Sequence, residues 1–315
     1  MATMPLREVD RIEILTVLDN TIDMLLASTP QVKRVPLPPD AVTRETLVAE
    51  HGFAALVTVT SGNTSDSLLF DAGLSKNGLI HNMDVLEVRP RELHTIVLSH
   101  GHADHTRGLM GMVERLGERK MPLLLHPDAF LERKLVFPDG HELNLPPPDR
   151  RFLSHEGIEI TEERGPSYLL SNLVLVTGQI HRATPFERGF PIHYARVADQ
   201  WQQDPLIHDD QAVVVHVKGK GLVILTGCGH AGAVNTILHA QQLTGIQKVY
   251  AVIGGFHLTG ALFEPIIPAT IAALKELSPA LIVPAHCTGW KATHALAREL
   301  PEAFVPNSVG TRFVL

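Results

Sequence analysis

Apolar and polar positions alternate in short runs along much of this chain, and β-branched residues dominate those runs. They predict strands at 11–18, 54–60, 67–70, 95–99, 122–125, 172–177, 211–217, 221–226, 248–253 and 280–284. Apolar residues recurring every three to four positions predict helices at 106–116, 231–243, 264–277 and 288–300. From Gln211 onward the order is two strands, then helix, strand, helix, strand and helix. The stretch 54–125 runs partly alike, so the chain reads as a rough duplication without a strict repeat. Two stretches show no clear period: 137–151, rich in Pro and charge, and 179–207, which carries Pro185, Gly189, Pro191 and Pro205. Strands resume on both sides of 179–207. It is therefore expected to be a lid inserted in a single domain spanning 1–315, not a linker.

Composition narrows the class. The 315 residues are 44 % hydrophobic with a formal charge of −7, which suits an ordinary soluble α/β protein and offers no basic surface for nucleic acid or anionic membrane. The N-terminus is interrupted by charge every few residues, unlike a signal peptide, and no run of about 18 apolar residues occurs. Two cysteines, Cys228 and Cys287, are too few for a disulfide framework, so a reducing cytoplasm is the expected location. A homo-oligomer is left open. Histidine is the outlier, with 18 copies against an aromatic content of only 5 %. That excess directs attention to metal chemistry.

The chemistry concentrates where the strand at 95–99 gives way to a helix. His100-Gly-His102-Ala-Asp104-His105 places three imidazoles and a carboxylate within six residues. Imidazole with carboxylate suits Zn first, with Fe or Mn as alternatives, and does not suit Ca or Mg. His100 and His102 are two apart and can point the same way from an extended loop, while Asp104 and His105 come after the chain has turned. Two ligands to each of two adjacent metals would satisfy this spacing. Gly101 and Ala103 are read as small so that no side chain crowds the ions. The bland alternative is a solvated polar loop with Asp104 at a helix N-terminus. A chance match is expected in roughly 0.003 chains of this histidine content, which favours the metal.

This motif resembles the signature of the metallo-β-lactamase superfamily. Leu69-Phe-Asp71-Ala-Gly73, Thr226-Gly-Cys228-Gly-His230 and Pro284-Ala-His286-Cys287-Thr-Gly289 extend the resemblance over most of the chain. With His51-Gly52, His126-Pro-Asp128 and Gly254-Gly-Phe-His257-Leu, they are similar to the subgroup labelled 7,8-dihydropterin-6-methyl-4-(β-D-ribofuranosyl)-aminobenzene-5′-phosphate synthase-like. The resemblance implies an αββα sandwich, two mixed β-sheets flanked by helices, with metals at one sheet edge. It implies further ligands at His230 and His286, completing a set of His100, His102, Asp104, His105, His230 and His286. Cys228 stands where the superfamily has a bridging Asp; it either bridges as thiolate or packs as a small apolar side chain. His181 rivals His230 as the middle ligand, and the subgroup pattern departs here, with Gln-Ile-His181-Arg in place of Glu-Ile-Pro-Arg. His257 is expected near the site as a supporting or substrate-contacting residue, and Asp71 is expected to orient a ligand histidine. His94, His216 and His239 are read as ordinary residues.

The expected function is metal-dependent hydrolysis of an ester, a phosphoester by preference, by water that two divalent metals bridge and acidify. Asp104 would both ligate and orient that water. In the lid, Arg182, Phe186 and Arg188 would contact an anionic or ring-bearing small substrate. Two other readings stand beside it: a pterin-biosynthesis synthase acting on a dihydropterin phosphate, and a non-catalytic binding protein that keeps the fold. Neither a Gly-x-Ser-x-Gly elbow nor a Walker A loop is present.

Overall fold

Alternation along the strands sorts the side chains into three apolar layers. Val213, Val215, Val223, Leu225, Ile253 and Val283 point one way and meet Ile12, Ile14, Val57, Val59, Leu68 and Phe70 from a second sheet. Their sequence neighbours Ala212, Val214, Leu222, Ile224 and Val252 point the other way, onto Ile237, Ala240, Ile271, Leu274 and Leu296 of helices. On the second sheet, Leu15, Leu69, Ile96 and Leu123 likewise turn outward onto Leu79, Met83, Leu109 and Met112. A period of two in two sheets, each facing the other, is an αββα sandwich.

The computed structural model describes residues 6–37, 39–41 and 43–315. One sheet runs in the order Ser167–Leu169, Val174–Val176, Ala212–Val217, Gly221–Thr226, Val249–Gly255, Leu281–Ala285, and Glu8–Val9 pairs with Ala212–Val217. The other runs Ile158–Glu162, Met121–Leu125, Leu93–Val97, Thr64–Phe70, Ala54–Ser61, Arg11–Leu18, Arg312–Val314, Val32–Lys33. Both are mixed; Gly221–Thr226, Val249–Gly255 and Leu281–Ala285 are parallel neighbours, as are Thr64–Phe70, Leu93–Val97 and Met121–Leu125. Helices Ala233–Thr244, Ile267–Leu277 and Trp290–Glu299 cover the first sheet; Gly78–Val85, Leu109–Leu116 and Arg150–His155 accompany the second. Parallel strands carry their C-terminal ends to one edge, where α/β proteins place their chemistry.

Three expectations change. The helix expected at 106–116 is two pieces, Ala103–Thr106 and Leu109–Leu116, because the carbonyls of Asp104 and His105 accept from Phe53 N and Ala72 N, and Gly108 N donates to Gly73 O, in place of bonds along the helix. The stretches 137–151 and 179–207 are not structureless. Strands Arg133–Val136, Glu142–Leu145, His193–Val197 and Gln200–Gln203 form a third, four-stranded antiparallel sheet. Gln200–Gln203 is wholly exposed, so it offers no alternating pattern to read.

Candidate metal centre

The strand Leu93–Val97 stops at the sheet edge, and His100 to His102 follow in a loop that the Ala103–Thr106 turn closes. Asp71 follows Thr64–Phe70, Cys228 follows Gly221–Thr226, His257 follows Val249–Gly255, and His286 follows Leu281–Ala285. Five strand ends from two sheets thus deliver polar side chains to one place. Gly227 lets the sheets close on each other there: a Cβ at that position would fall 2.1 Å from Ser99 Oγ. Gly101 has a related role, which differs from the expected one. Its missing side chain makes room for the Ala129 backbone, at 2.1 Å from a Cβ, and not for an ion.

The ligand atoms fall into two groups. Ligand atoms of Asp104, His105, Cys228 and His286 lie within 4.8 Å of one another, and so do those of His100, Cys228 and His230. His102 joins the second group, with Nδ1 3.2 Å from His230 Nε2. In the first group His286 Nε2 is 3.1 Å from Asp104 Oδ2, and His105 Nε2 is 3.2 Å from Cys228 Sγ. Cys228 is the member common to both. His181 is exposed and lies in neither group; the structure brings His230, not His181, to the middle position.

Supporting residues leave the facing nitrogens free. Ser99 Oγ donates to Asp71 Oδ2 at 2.7 Å and so accepts from His100 Nδ1 at 2.9 Å, leaving His100 Nε2 buried with no partner. His105 Nδ1 donates to Asp71 Oδ2 at 2.6 Å. His286 Nδ1 donates to Asn20 Oδ1 at 3.2 Å, and its backbone N–H donates to Asp19 Oδ1 at 2.8 Å. His193 Nδ1 donates to the Asp204 carbonyl at 3.0 Å, which makes its Nε2 the acceptor for His102 Nε2–H at 2.9 Å. The rings of His100, His102, His105 and His286 are therefore each held by one nitrogen from behind, which turns the other inward, as in ligating histidines. An orphaned buried imidazole nitrogen and a donor set of imidazole, carboxylate and thiol fit divalent transition metals.

The electrostatics agree. Burial pushes His100, His102 and His230 well below the usual histidine range, so they are neutral and ready to ligate. Burial alone would raise Asp104, but His105, His286 and His102 outweigh it and hold the carboxyl well below the usual carboxylate range. His105 differs: burial opposes its charge, yet Asp71 and Asp104 lift it to about 9, so a metal must displace the proton on its inward nitrogen. Asp209 is buried beneath the loop, where it accepts from Gly101 N at 2.8 Å and pairs with both terminal nitrogens of Arg133 at 3.0 and 2.5 Å. The four-stranded sheet supplies Arg133 and His193, so it braces the metal loop from outside the sandwich.

The residues expected in the lid behave differently. Arg182 donates to the carbonyls of Ala231 at 2.8 Å, His230 at 3.1 Å and Leu206, which consumes its guanidinium. Phe186 packs into the helix-covered layer, and exposed Arg188 donates back to Pro185 O at 2.6 Å. None of the three turns to the ligand groups. The aromatic surface beside them comes from Phe190 and Phe263. Phe190 lies nearly parallel to His230, at 6.5 Å and 15°, and Phe263 is 5.1 Å from Phe190 and 4.4 Å from His257. His51, exposed at the rim, has Nε2 3.9 Å from Asp104 Oδ2.

Asp210 gives a pH-dependent test of this edge. Burial pushes its carboxyl up to about 7, against the hydrogen bond from Ala231 N and the charge of Arg182. Between about pH 4 and that value the folded chain holds a proton that the unfolded chain has released. The stabilisation is present on the acid side and is lost as pH rises through about 7. Asp210→Asn keeps an acceptor for Ala231 N and removes the titration. In metal-free protein it is expected to flatten the fall in melting temperature between about pH 5 and 8; an unchanged slope would assign that fall to other groups.

A family model described as metallo-beta-lactamase superfamily matches residues 47–185. A Methanocaldococcus jannaschii protein named 7,8-dihydropterin-6-methyl-4-(beta-D-ribofuranosyl)-aminobenzene-5'-phosphate synthase is 32% identical over 262 residues, 81% of this chain and 87% of that protein. The chain belongs to the metallo-β-lactamase superfamily. An uncharacterized protein of the same organism is 29% identical over 252 residues, 79% of this chain and 88% of its own. The solved structure of Tm1679, described as a metal-dependent hydrolase of the beta-lactamase superfamily, superposes with TM-score 0.71 at 22% identity, over 96% of this chain and 98% of that one, and it shares the fold. Among the described residues no helix is long and apolar enough to cross a membrane.

Proposed function

We propose that this superfamily member is a two-metal hydrolase of small anionic esters, phosphoesters foremost, with zinc as the first candidate metal. The supporting observation is the shared thiol: Cys228 Sγ lies within 4.8 Å of ligand atoms of both groups. His100, His102 and His230 would hold one ion, Asp104, His105 and His286 the other, and Cys228 both. Bound there, such ions lower the pKa of water towards neutrality and stabilise charge developing on the attacked ester. The chain's own part is orientation and charge. Asp71, Ser99, Asn20 and His193 fix the rings, while Asp104, ionised across the working pH range, orients the attacking water and accepts its hydrogen bond. The partner is a small-molecule substrate.

Cys228 variants test the reading. Cys228→Ser is expected to lower metal content and ester turnover together, and Cys228→Asp to retain much of both. If Cys228→Ser keeps full occupancy and rate, the thiol only packs and the two-ion arrangement loses its support. Phe190 beside His230 and Phe263 beside His257 favour a ring-bearing substrate and support a second reading, chemistry on a dihydropterin phosphate of the kind the M. jannaschii protein is named for. Parallel assays with nitrophenyl phosphoesters and with a dihydropterin diphosphate plus an aromatic amine separate the two. Turnover of either excludes a purely binding role.

A further inference from the structure

Cys287 belongs to neither ligand group, yet it is buried directly behind them. Its Sγ, Cys228 Sγ and a ring nitrogen of His257 lie within 4.8 Å of one another. In this state Cys287 spends its S–H on the Cys228 carbonyl at 3.2 Å, while His257 Nδ1 is buried without a partner. The backbone is strained at the two turns that present these side chains. His257 has φ 44° and His286, next to Cys287, has φ 49°, both left-handed. The turns are tied by a bond from Phe256 N to Thr288 Oγ1 at 3.1 Å. Gly255 keeps the space between the thiols open, since a Cβ there would sit 2.7 Å from Cys287 Sγ and 3.0 Å from Cys228 Cα. Two thiols and an imidazole around a glycine-lined gap form a softer donor set than either group at the main centre.

We propose that Cys228, His257 and Cys287 form a third metal position that selects thiophilic ions such as Cd2+. Tetrahedral bonds of about 2.3 Å set ligand atoms roughly 3.8 Å apart, so closure asks a contraction of no more than about 1 Å. Binding is a simple exchange: one divalent ion enters, two S–H bonds ionise, two protons leave, and His257 contributes a lone pair. Because Cys228 also serves the main centre, an ion held here draws that thiolate away from it. On the two-metal reading, such an ion competes with the main centre for this one thiolate.

The test is titration of the full-length, chelator-stripped protein with Cd2+, reading ultraviolet thiolate–metal charge transfer and proton release. The native chain is expected to show two thiolates and two protons for the first ion bound. Cys287→Ser is expected to show one of each with affinity at least tenfold lower, and His257→Gln two thiolates at reduced affinity. A single thiolate in the native chain, or an unchanged Cys287→Ser titration, overturns the proposal. It leaves the two-metal reading intact, because Cys228 alone supplies one thiolate. Should Cys287→Ser fail to fold, X-ray absorption at the Cd edge of the native chain loaded with one Cd2+ decides: two sulfur ligands are expected, and one or none overturns the third position.

Discussion

Replacing Arg133 with alanine is expected to cost about 3–5 kcal/mol of folding stability, far more than an ordinary surface arginine. Arg133 is 2 % exposed and Asp209 is fully buried, so the substitution strands a carboxylate that also accepts from Gly101 in the metal loop. Burial pushes Asp209 up, and at present Arg133 outweighs it and keeps the carboxyl below its usual range. The pair therefore stabilises the fold above the ordinary carboxylate range, and the contribution is lost as pH falls through the depressed value. Without Arg133 the sign reverses, and Asp209 destabilises the fold as pH rises. Urea unfolding of Arg133→Ala, Asp209→Asn and the double variant at neutral pH checks this. The double variant is expected to be less destabilised than the sum of the singles. Strict additivity, or a loss below about 1 kcal/mol for Arg133→Ala, would show that the pair is not coupled.

The second large effect is on metal affinity without any ligand being touched. Asp71 is fully buried and accepts from His105 Nδ1, Ser99 N and Ser99 Oγ, and Ser99 in turn holds His100. One carboxylate thus orients a histidine of each ligand group. Asp71→Ala is expected to weaken metal binding by about 10–100-fold, measured by competition with a chromophoric chelator. Ser99→Ala is expected to weaken it less, because His105 keeps its acceptor. If Asp71→Ala binds metal as tightly as the native chain, orientation from behind is not what prepares these rings.

How far the sequence reads depends on how local each feature is. The order of strands and helices is legible because alternation carries it, and the cluster His100–His105 because six adjacent residues do; the αββα sandwich follows only from the family resemblance of those residues, and the two facing sheets agree with it. His230 and His286 are legible as residues just past predicted strands, and the structure brings them to the cluster. The supporting partners are different in kind. Arg133 meets Asp209 across 76 positions, His102 meets His193 across 91, and His286 meets Asn20 across 266. No local pattern encodes such pairs. Arg182 departs from its expected role for a related reason: in sequence it reads as a free cation, but backbone carbonyls from two other loops claim it. The aromatic that reaches the site is Phe190, four positions beyond Phe186, after Gly189 turns the chain. A buried Glu187 accepting from Val234 and Asn235 at the start of the helix Ala233–Thr244 fixes that turn.

In the proposed centre, two ions share Cys228 between two histidine-rich groups. Elemental analysis of protein reconstituted with zinc and freed of loose metal tests it most directly, alongside His230→Ala and His286→Ala. The account predicts two ions per native chain and about one in each variant, from opposite sides of Cys228. A native chain holding no ion, or holding one that survives both substitutions, would contradict it.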